Sequence, residues 1–163
     1  MINMNEYSEI LITEEELAAK VEELGARISA DFAGESILLV GILKGSVPFM
    51  ADLMRAIKLE DVQIDFMGVS SYGDATETSG VVQIRKDLDS PIEGRNVIIV
   101  EDIIDTGLTL SYIKQHLLAR KHKTLKVCSI LDKPSRRKVD FKGDYVGFEV
   151  GDKYIVGYGL DAA

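Results

Sequence analysis

Residues 96–109, NVIIVEDIIDTGLT, combine a predicted strand, a short loop and the start of a helix. Residues 96–104 are almost continuously apolar, which is typical of a strand covered on both faces of a sheet. Glu101 and Asp102 place two adjacent carboxylates near the end of that strand. Because the strand leads directly into a helix, this stretch predicts a crossover connection and therefore a parallel sheet.

Strands and helices alternate on both sides of this stretch. Helices are predicted over residues 14–32, after Pro48, and over residues 108–120; Thr13 and Glu16 have the spacing of a capping box. Strands are predicted over residues 36–42, 62–70, 81–86, 96–104 and 125–131, with short ones at 145–150 and 154–157. This order predicts an α/β fold of three layers, a mostly parallel sheet between helices, with a small irregular C-terminal cap.

Length and charge restrict the class of protein. The 163 residues have the size of one domain, and the formal net charge of −8 disfavours binding to nucleic acid or anionic membranes. The single cysteine, Cys128, excludes an internal disulfide framework and a cysteine-built zinc site. No apolar run approaches the roughly 20 residues of a membrane span, and no secretory signal pattern opens the chain, so we expect a cytoplasmic protein.

The loop at residues 105–109 has the features of a phosphate-binding site. It offers the hydroxyls of Thr106 and Thr109, a glycine at 107, and backbone N–H groups at a helix N-terminus. Glu101 and Asp102 would repel a phosphate unless a ribose diol or a magnesium ion lay between them, so a phosphorylated sugar is predicted. The triplet at residues 105–107 alone is equally compatible with an ordinary turn in which Asp105 or Thr106 caps the helix.

Five segments in order resemble the hypoxanthine-guanine phosphoribosyltransferase family in its bacterial form. They are residues 43–46 (LKGS), 70–73 (SSYG), 100–109 (VEDIIDTGLT), 131–137 (LDKPSRR) and 154–161 (YIVGYGLD). The resemblance covers nearly the whole chain and implies a type I phosphoribosyltransferase fold, with the cap over the base site. It also implies transfer of the phosphoribosyl group of 5-phosphoribosyl 1-diphosphate to hypoxanthine and guanine. The products would be IMP or GMP and diphosphate, formed with Mg²⁺ in purine salvage.

The resemblance assigns Asp105 as the catalytic residue, which either accepts the purine N7 proton or stabilises charge there; both roles remain open. The implied 5′-phosphate site consists of Asp105, Thr106, Gly107, Leu108 and Thr109. Glu101 and Asp102 would hold the ribose hydroxyls and magnesium, and Asp161 would be a further magnesium contact.

The remaining segments supply the other ligand contacts by the same resemblance. Lys44 and Gly45 would bind diphosphate, with a cis peptide at the Lys44–Gly45 step. The purine would meet Lys133, Tyr154 and Ile155, while a mobile loop containing Ser71 and Tyr72 would close over the site. From the residues alone, residues 44–46 are also compatible with a plain strand–helix turn, and Tyr154 with a half-buried strand aromatic.

Several expectations concern the rest of the chain. Residues 136–138, Arg-Arg-Lys, are expected to be a solvated run of charge. Residues 1–163 are expected to form one domain without the family's usual C-terminal tail, with lower turnover as a result. A homodimer or homotetramer is expected by analogy. Alternatives are a xanthine-preferring or pyrimidine-using relative, and an RNA-binding regulator that senses phosphoribosyl diphosphate without catalysis.

Overall fold

The computed structural model describes residues 11–70, 82–152 and 155–160, which contain three α-helices and six β-strands. The helices are α1 (Glu14–Asp31), α2 (Val47–Ala56) and α3 (Leu108–Leu118). The strands are β1 (Ile37–Leu43), β2 (Val62–Val69), β3 (Ile84–Lys86), β4 (Asn96–Ile104), β5 (Thr124–Asp132) and β6 (Tyr145–Glu149). No helix in the described ranges is long and apolar enough to cross a membrane.

The strands form one sheet in the order β3-β2-β1-β4-β5-β6. Neighbours pair in parallel except β2 and β3, which are antiparallel, so the prediction of a mostly parallel sheet is confirmed. The C-terminal part is more regular than predicted, because β6 pairs with the open edge of β5 from Tyr145 onward. Of the predicted strand at 154–157, the described residues form only an isolated bridge between Gly157 and Leu160.

Helices cover both faces of the sheet. On one face, Leu24 of α1 and Leu53 of α2 are fully buried in one core with Leu39 of β1. On the other face, Ile113 of α3 shares a second core with Val40 of β1. Adjacent residues of a strand point to opposite faces, which is why Leu39 and Val40 belong to different cores. The three-layer prediction is therefore confirmed.

The connections after β1 and β4 determine where a ligand can enter. These strands are neighbours in the middle of the sheet, yet β1 leads to α2 on one face and β4 leads to α3 on the other. Such a reversal leaves a crevice at the carboxyl ends of the two strands, which is the usual ligand position in open α/β sheets. The loops that follow β1, β4 and β5 all open at this edge.

Candidate active site

The loop between β4 and α3 forms the floor of the crevice. Gly107 is the N-cap of α3 and has a φ of +84°, a left-handed conformation that favours glycine. Because glycine has no side chain, it cannot cap the N–H groups of the first turn. Thr106 Oγ1 accepts a 3.3 Å hydrogen bond from the Leu108 N–H. The N–H groups at the N-terminus of this 11-residue helix therefore open toward the crevice, and the Thr106 hydroxyl caps one of them weakly. Such an arrangement favours a bound anion.

Two carboxylates lie beside this loop. Glu101 and Asp102 are adjacent near the end of β4 and both are half-buried. Asp102 Oδ1 accepts a 2.7 Å hydrogen bond from the Ile103 N–H, and Glu101 Oε1 accepts one of 3.0 Å from the Asp102 N–H. Burial, reinforced by the charge of Asp102, raises the pKa of Glu101 well above its ordinary value. Neither carboxylate forms an ion pair with another described residue, so the pair favours a cation or hydroxyl groups from a ligand.

The loop after β1 passes close to the same carboxylates. A Cβ atom at Gly45 would overlap Asp102 Oδ2, so a larger residue at this position would displace the Asp102 carboxylate. The side-chain hydroxyl of Ser46 is fully buried and has no hydrogen-bond partner among the described residues. The expectation of a cis peptide at the Lys44–Gly45 step is wrong. The cis bond is Leu43–Lys44, one peptide earlier, at a position that no proline marks.

The predicted purine-binding lysine follows β5. Lys133 is only 3% exposed, and its backbone N–H donates a 2.8 Å hydrogen bond to the carbonyl of Ile104 at the end of β4. This backbone hydrogen bond holds Lys133 beside the start of the loop at residues 105–109. Burial of a lysine ammonium group is costly unless an acceptor is nearby, and a ligand oxygen would supply one.

Asp105 has a cationic neighbour that the sequence analysis missed. Arg136 Nε donates a 3.0 Å hydrogen bond to Asp105 Oδ1, and Arg136 Nη1 lies 3.5 Å from Asp152 Oδ1. These groups are all substantially exposed to solvent, so the pair is easily exchanged for a ligand contact.

Arg137 is also more than a solvated charge. Its side chain is largely buried and forms an ion pair of 2.7 Å with Asp132, the last residue of β5. It also donates to the carbonyls of Asp105 at 2.9 Å and Phe141 at 2.8 Å. The expectation of a solvated run at residues 136–138 is therefore wrong for Arg137, whereas Arg136 and Lys138 are exposed as expected. The 3-10 helix at Pro134–Arg136 turns the Arg137 side chain back toward the end of β4.

The C-terminal segment reaches the same edge. Ile155 packs against the core between the sheet and α1 and α2, and Leu160 is buried in it. The predicted site residues Ser71, Tyr72, Tyr154 and Asp161 lie outside the described residues. The structure thus places Lys44, Gly45, Glu101, Asp102, Lys133 and the loop at 105–109 at one edge of the sheet.

The donor set fits a magnesium ion that is shared with a ligand. Among the described residues, no group of three or more acidic, histidine or cysteine side chains comes together to enclose a metal. Mg²⁺ is often held by one or two carboxylates together with water and substrate oxygens. The adjacent carboxylates of Glu101 and Asp102, with no cationic partner in the described ranges, match that requirement.

Comparison with known proteins finds the same family by sequence and by structure. The phosphoribosyl transferase domain family matches residues 7–163. The hypoxanthine-guanine phosphoribosyltransferase of Bacillus subtilis is 52% identical over 159 residues, which are 98% of this chain and 88% of that protein. A crystal structure of the enzyme of that name from Bacillus anthracis is 56% identical with a TM-score of 0.88, covering 94% of this chain and 89% of that one. The Trypanosoma cruzi hypoxanthine phosphoribosyltransferase in complex with its product IMP is 40% identical with a TM-score of 0.85, covering 93% and 85%.

Proposed function

The chain belongs to the hypoxanthine-guanine phosphoribosyltransferase family, and we propose that the site described above transfers the phosphoribosyl group of 5-phosphoribosyl 1-diphosphate to a 6-oxopurine base. The enzyme is a phosphoribosyltransferase of purine salvage with the type I fold. The observation that carries the residue assignment is the meeting of three strand ends. A phosphate loop after β4, a glycine loop after β1 and a buried lysine after β5 lie side by side.

The sugar phosphate has a matching site along β4. The N-terminus of α3 with residues 105–109 would hold the 5′-phosphate, and the carboxylates of Glu101 and Asp102 would accept hydrogen bonds from the ribose hydroxyls. The bond to diphosphate would then point toward Lys44 and Gly45, since Gly45 lies against Asp102. The residues hold a single sugar between two anion sites, which is the positioning that a displacement at its anomeric carbon requires.

Charge develops at two places as the transfer proceeds. The anomeric carbon becomes cation-like as diphosphate leaves, and the carboxylates of Glu101 and Asp102 lie on the ribose side to stabilise it. The purine ring gains positive charge as its new bond forms, which makes its N7 proton acidic. Asp105 would stabilise that charge or take the proton, after exchanging its contact with Arg136 for the base.

Lys133 supplies the preference for a 6-oxo group. Its ammonium group would donate to the exocyclic oxygen of hypoxanthine or guanine, whereas adenine presents an amino group at that position. Because Lys133 is buried, a base without an acceptor would leave the charge unpaired, and such penalties give large discrimination. Ile155 and Tyr154 complete the proposed base contacts.

Magnesium is the proposed cofactor, held by Glu101 and Asp102 with Asp161 as a further contact. When bound, the ion would neutralise negative charge on the diphosphate and so make it a better leaving group. The role of this chain's residues is to supply the carboxylate oxygens at the ribose side of the site.

A direct assay tests the proposed function. The purified chain is incubated with magnesium and phosphoribosyl diphosphate, and nucleotide formation from hypoxanthine, guanine, xanthine and adenine is followed by absorbance. We expect turnover with hypoxanthine and guanine and none with adenine. A preference for xanthine would transfer the assignment to a xanthine-preferring relative. Absence of nucleotide with every base would contradict the proposed function.

We further propose that the chain is one catalytic domain that works in the cytoplasm as a homodimer or homotetramer. Val47 and Met54 of α2 are exposed apolar side chains that a second copy could cover. The mass measured by static light scattering should be two or four times the 18.0 kDa of one chain. A monomer mass at assay concentration would contradict the oligomer.

A further inference from the structure

A tight turn follows the purine-binding segment in the chain. Gly157, Tyr158 and Gly159 have φ angles of +102°, +51° and +85°, so three consecutive residues are left-handed. The Leu160 N–H donates a 2.9 Å hydrogen bond to the Gly157 carbonyl, which closes the turn. Left-handed geometry at a tyrosine is uncommon and persists only where the surroundings hold it. Something outside the turn must therefore fix residues 157–160.

The first contact that holds this turn is a hydrogen bond to α2. The Tyr158 hydroxyl donates to Asp52 Oδ2 at 2.5 Å, and the Tyr158 ring packs against the core between α2 and the sheet. Burial of the phenol, together with the neighbouring Asp52 carboxylate, raises the pKa of Tyr158, so the hydroxyl keeps its proton and remains a donor. Asp52 is itself oriented by a 2.7 Å hydrogen bond from Arg55.

The second contact is with the glycine loop after β1. A Cβ atom at Gly159 would lie 2.8 Å from Pro48 Cγ and 3.1 Å from the Gly45 carbonyl oxygen. Gly45 contacts Asp102 with its other side, as described above. Gly45 thus lies between the Asp102 carboxylate and the turn at residues 157–160. In the chain, that turn connects Tyr154 and Ile155 to Asp161. A shift of the loop at residues 44–46 cannot leave the turn unaffected.

We propose that Tyr158 and Asp52 are positioning residues that couple the diphosphate loop to the purine-binding segment. Their hydrogen bond fixes the turn at residues 157–160 to α2. The turn therefore moves together with residues 44–46, the loop that leads into α2. Occupation of the loop by diphosphate would then order the residues that contact the base. This inference rests on the proposed function, since it takes the assignment of residues 44–46 to diphosphate and of Ile155 to the purine from it.

Hydrogen–deuterium exchange of the full chain tests the coupling without requiring catalysis. Magnesium and inorganic diphosphate are added as the probe, and exchange is read at residues 44–46 and 155–160. In the wild-type chain we expect slower exchange in both segments. In Tyr158→Phe we expect protection of residues 44–46 alone. Protection of residues 155–160 in Tyr158→Phe equal to that in the wild type would overturn the proposal.

The chain provides a matched control for this substitution. Tyr145 donates a 2.6 Å hydrogen bond to Asp31 Oδ2, so the same chemical pair joins β6 to the end of α1, away from residues 44–46. Tyr145→Phe removes an equivalent bond and should leave the coupling intact. Asp52→Asn, which retains an acceptor oxygen, should also preserve it, whereas Asp52→Ala should behave as Tyr158→Phe. If Tyr145→Phe abolished the response as well, the effect would be one of general stability and the proposal would fail.

Kinetics give a second readout. We expect Tyr158→Phe to raise the KM for hypoxanthine about fivefold with kcat within about twofold of the wild type, the effect of one lost hydrogen bond. An unchanged KM would contradict the positioning role. Lack of nucleotide formation by the wild-type chain would instead contradict the proposed function, and the exchange experiment would still decide whether the two segments are coupled.

Discussion

Asp105 carries the proposed proton or charge step, yet its backbone also belongs to the phosphate loop. Its side chain contacts Arg136, while its carbonyl accepts a hydrogen bond from Arg137. A substitution that keeps the shape of the side chain therefore separates the two functions. We expect Asp105→Asn to bind IMP with nearly unchanged affinity and to lose turnover by about 10²-fold, the lower end of what an acid–base group contributes. Steady-state rates and calorimetric titration with IMP measure the two quantities.

The control for that substitution is Asp152→Asn. Asp152 lies 3.5 Å from the same Arg136, so this variant also removes a carboxylate from the arginine. It should retain turnover, because Asp152 is not in the phosphate loop. Equal losses in both variants would assign the effect to Arg136 and not to Asp105.

Individual residues differed in how well the sequence predicted them. The position of Lys133 at the carboxyl edge of the sheet could be predicted because this residue directly follows an apolar strand, whereas its purine-binding role came from the family resemblance and remains a proposal. The burial of Arg137 and the contact of Arg136 with Asp105 could not be predicted, because three adjacent cations give no periodicity that distinguishes one side chain from the next. The directions of the two arginine side chains depend on the 3-10 turn at Pro134–Arg136 and on their acceptors, Asp105 after β4 and Asp132 at the end of β5.

At the scale of elements, Arg137 joins the loop after β4 to the end of β5. It binds Asp132 and donates to the carbonyls of Asp105, in the loop after β4, and of Phe141, in the segment between β5 and β6. Lysine keeps the charge but not the planar set of donors. We therefore expect Arg137→Lys to lower kcat/KM for hypoxanthine by at least about tenfold, since misplaced catalytic groups lose rate steeply.

Arg120→Lys is the matched control for Arg137→Lys. Arg120 forms a comparable two-point contact, at 2.8 and 2.6 Å, with Asp87 in the segment between β3 and β4. It should leave kcat/KM unchanged while lowering the melting temperature slightly. If both variants retained wild-type kinetics, the connecting role of Arg137 would be wrong.

The Asp87–Arg120 pair itself predicts a pH dependence of stability. The hydrogen bond from Arg120 lowers the pKa of Asp87 below its ordinary value of 3.8. A lowered carboxyl pKa stabilises the fold above the unfolded-state value, and the gain is lost as the pH falls through the folded-state value. Because Asp87 is nearly half exposed, we expect Asp87→Asn to cost about 1 kcal/mol at pH 5 and progressively less as the pH falls below 3.8.

Urea unfolding at a series of pH values measures that cost. The two proteins compared, with Asp87 and with Asn at that position, both carry His116→Gln. This substitution is needed because His116 Nε2 lies 3.9 Å from Asp87 and imidazole also gains charge on acidification. A difference in the free energy of unfolding that stayed constant between pH 5 and pH 3 would contradict the assignment of the shift to this pair.

Element prediction from the sequence succeeded where apolar periodicity was strong. The bounds of β4 were predicted to the residue, and the Thr13–Glu16 capping box is present at the start of α1. The turn at residues 157–160 was missed, because only two of its three left-handed residues are glycines and its tyrosine is held by a contact to α2. The cis bond at Leu43–Lys44 likewise has no proline to indicate it.

At the scale of the whole molecule, charge is a problem for the proposed substrate. The chain has a formal net charge of −8, and 5-phosphoribosyl 1-diphosphate is itself strongly anionic. The local cations Lys44 and Lys133 are positioned by the sheet, but Glu101 and Asp102 lie beside them. The net charge was available from the sequence, whereas the arrangement of these four groups at one edge depends on the order of the strands.

Removal of magnesium should therefore weaken substrate binding, and more so at low ionic strength. We expect EDTA to reduce the affinity for phosphoribosyl diphosphate at least about tenfold at about 300 mM salt, since two carboxylates then face the phosphates uncompensated. At about 20 mM salt the loss should be larger, because repulsion from the whole acidic surface is then less screened. Calorimetric titration under the four conditions measures this. An equal loss at both salt concentrations would confine the effect to Glu101 and Asp102, and no loss at either would exclude magnesium from substrate binding.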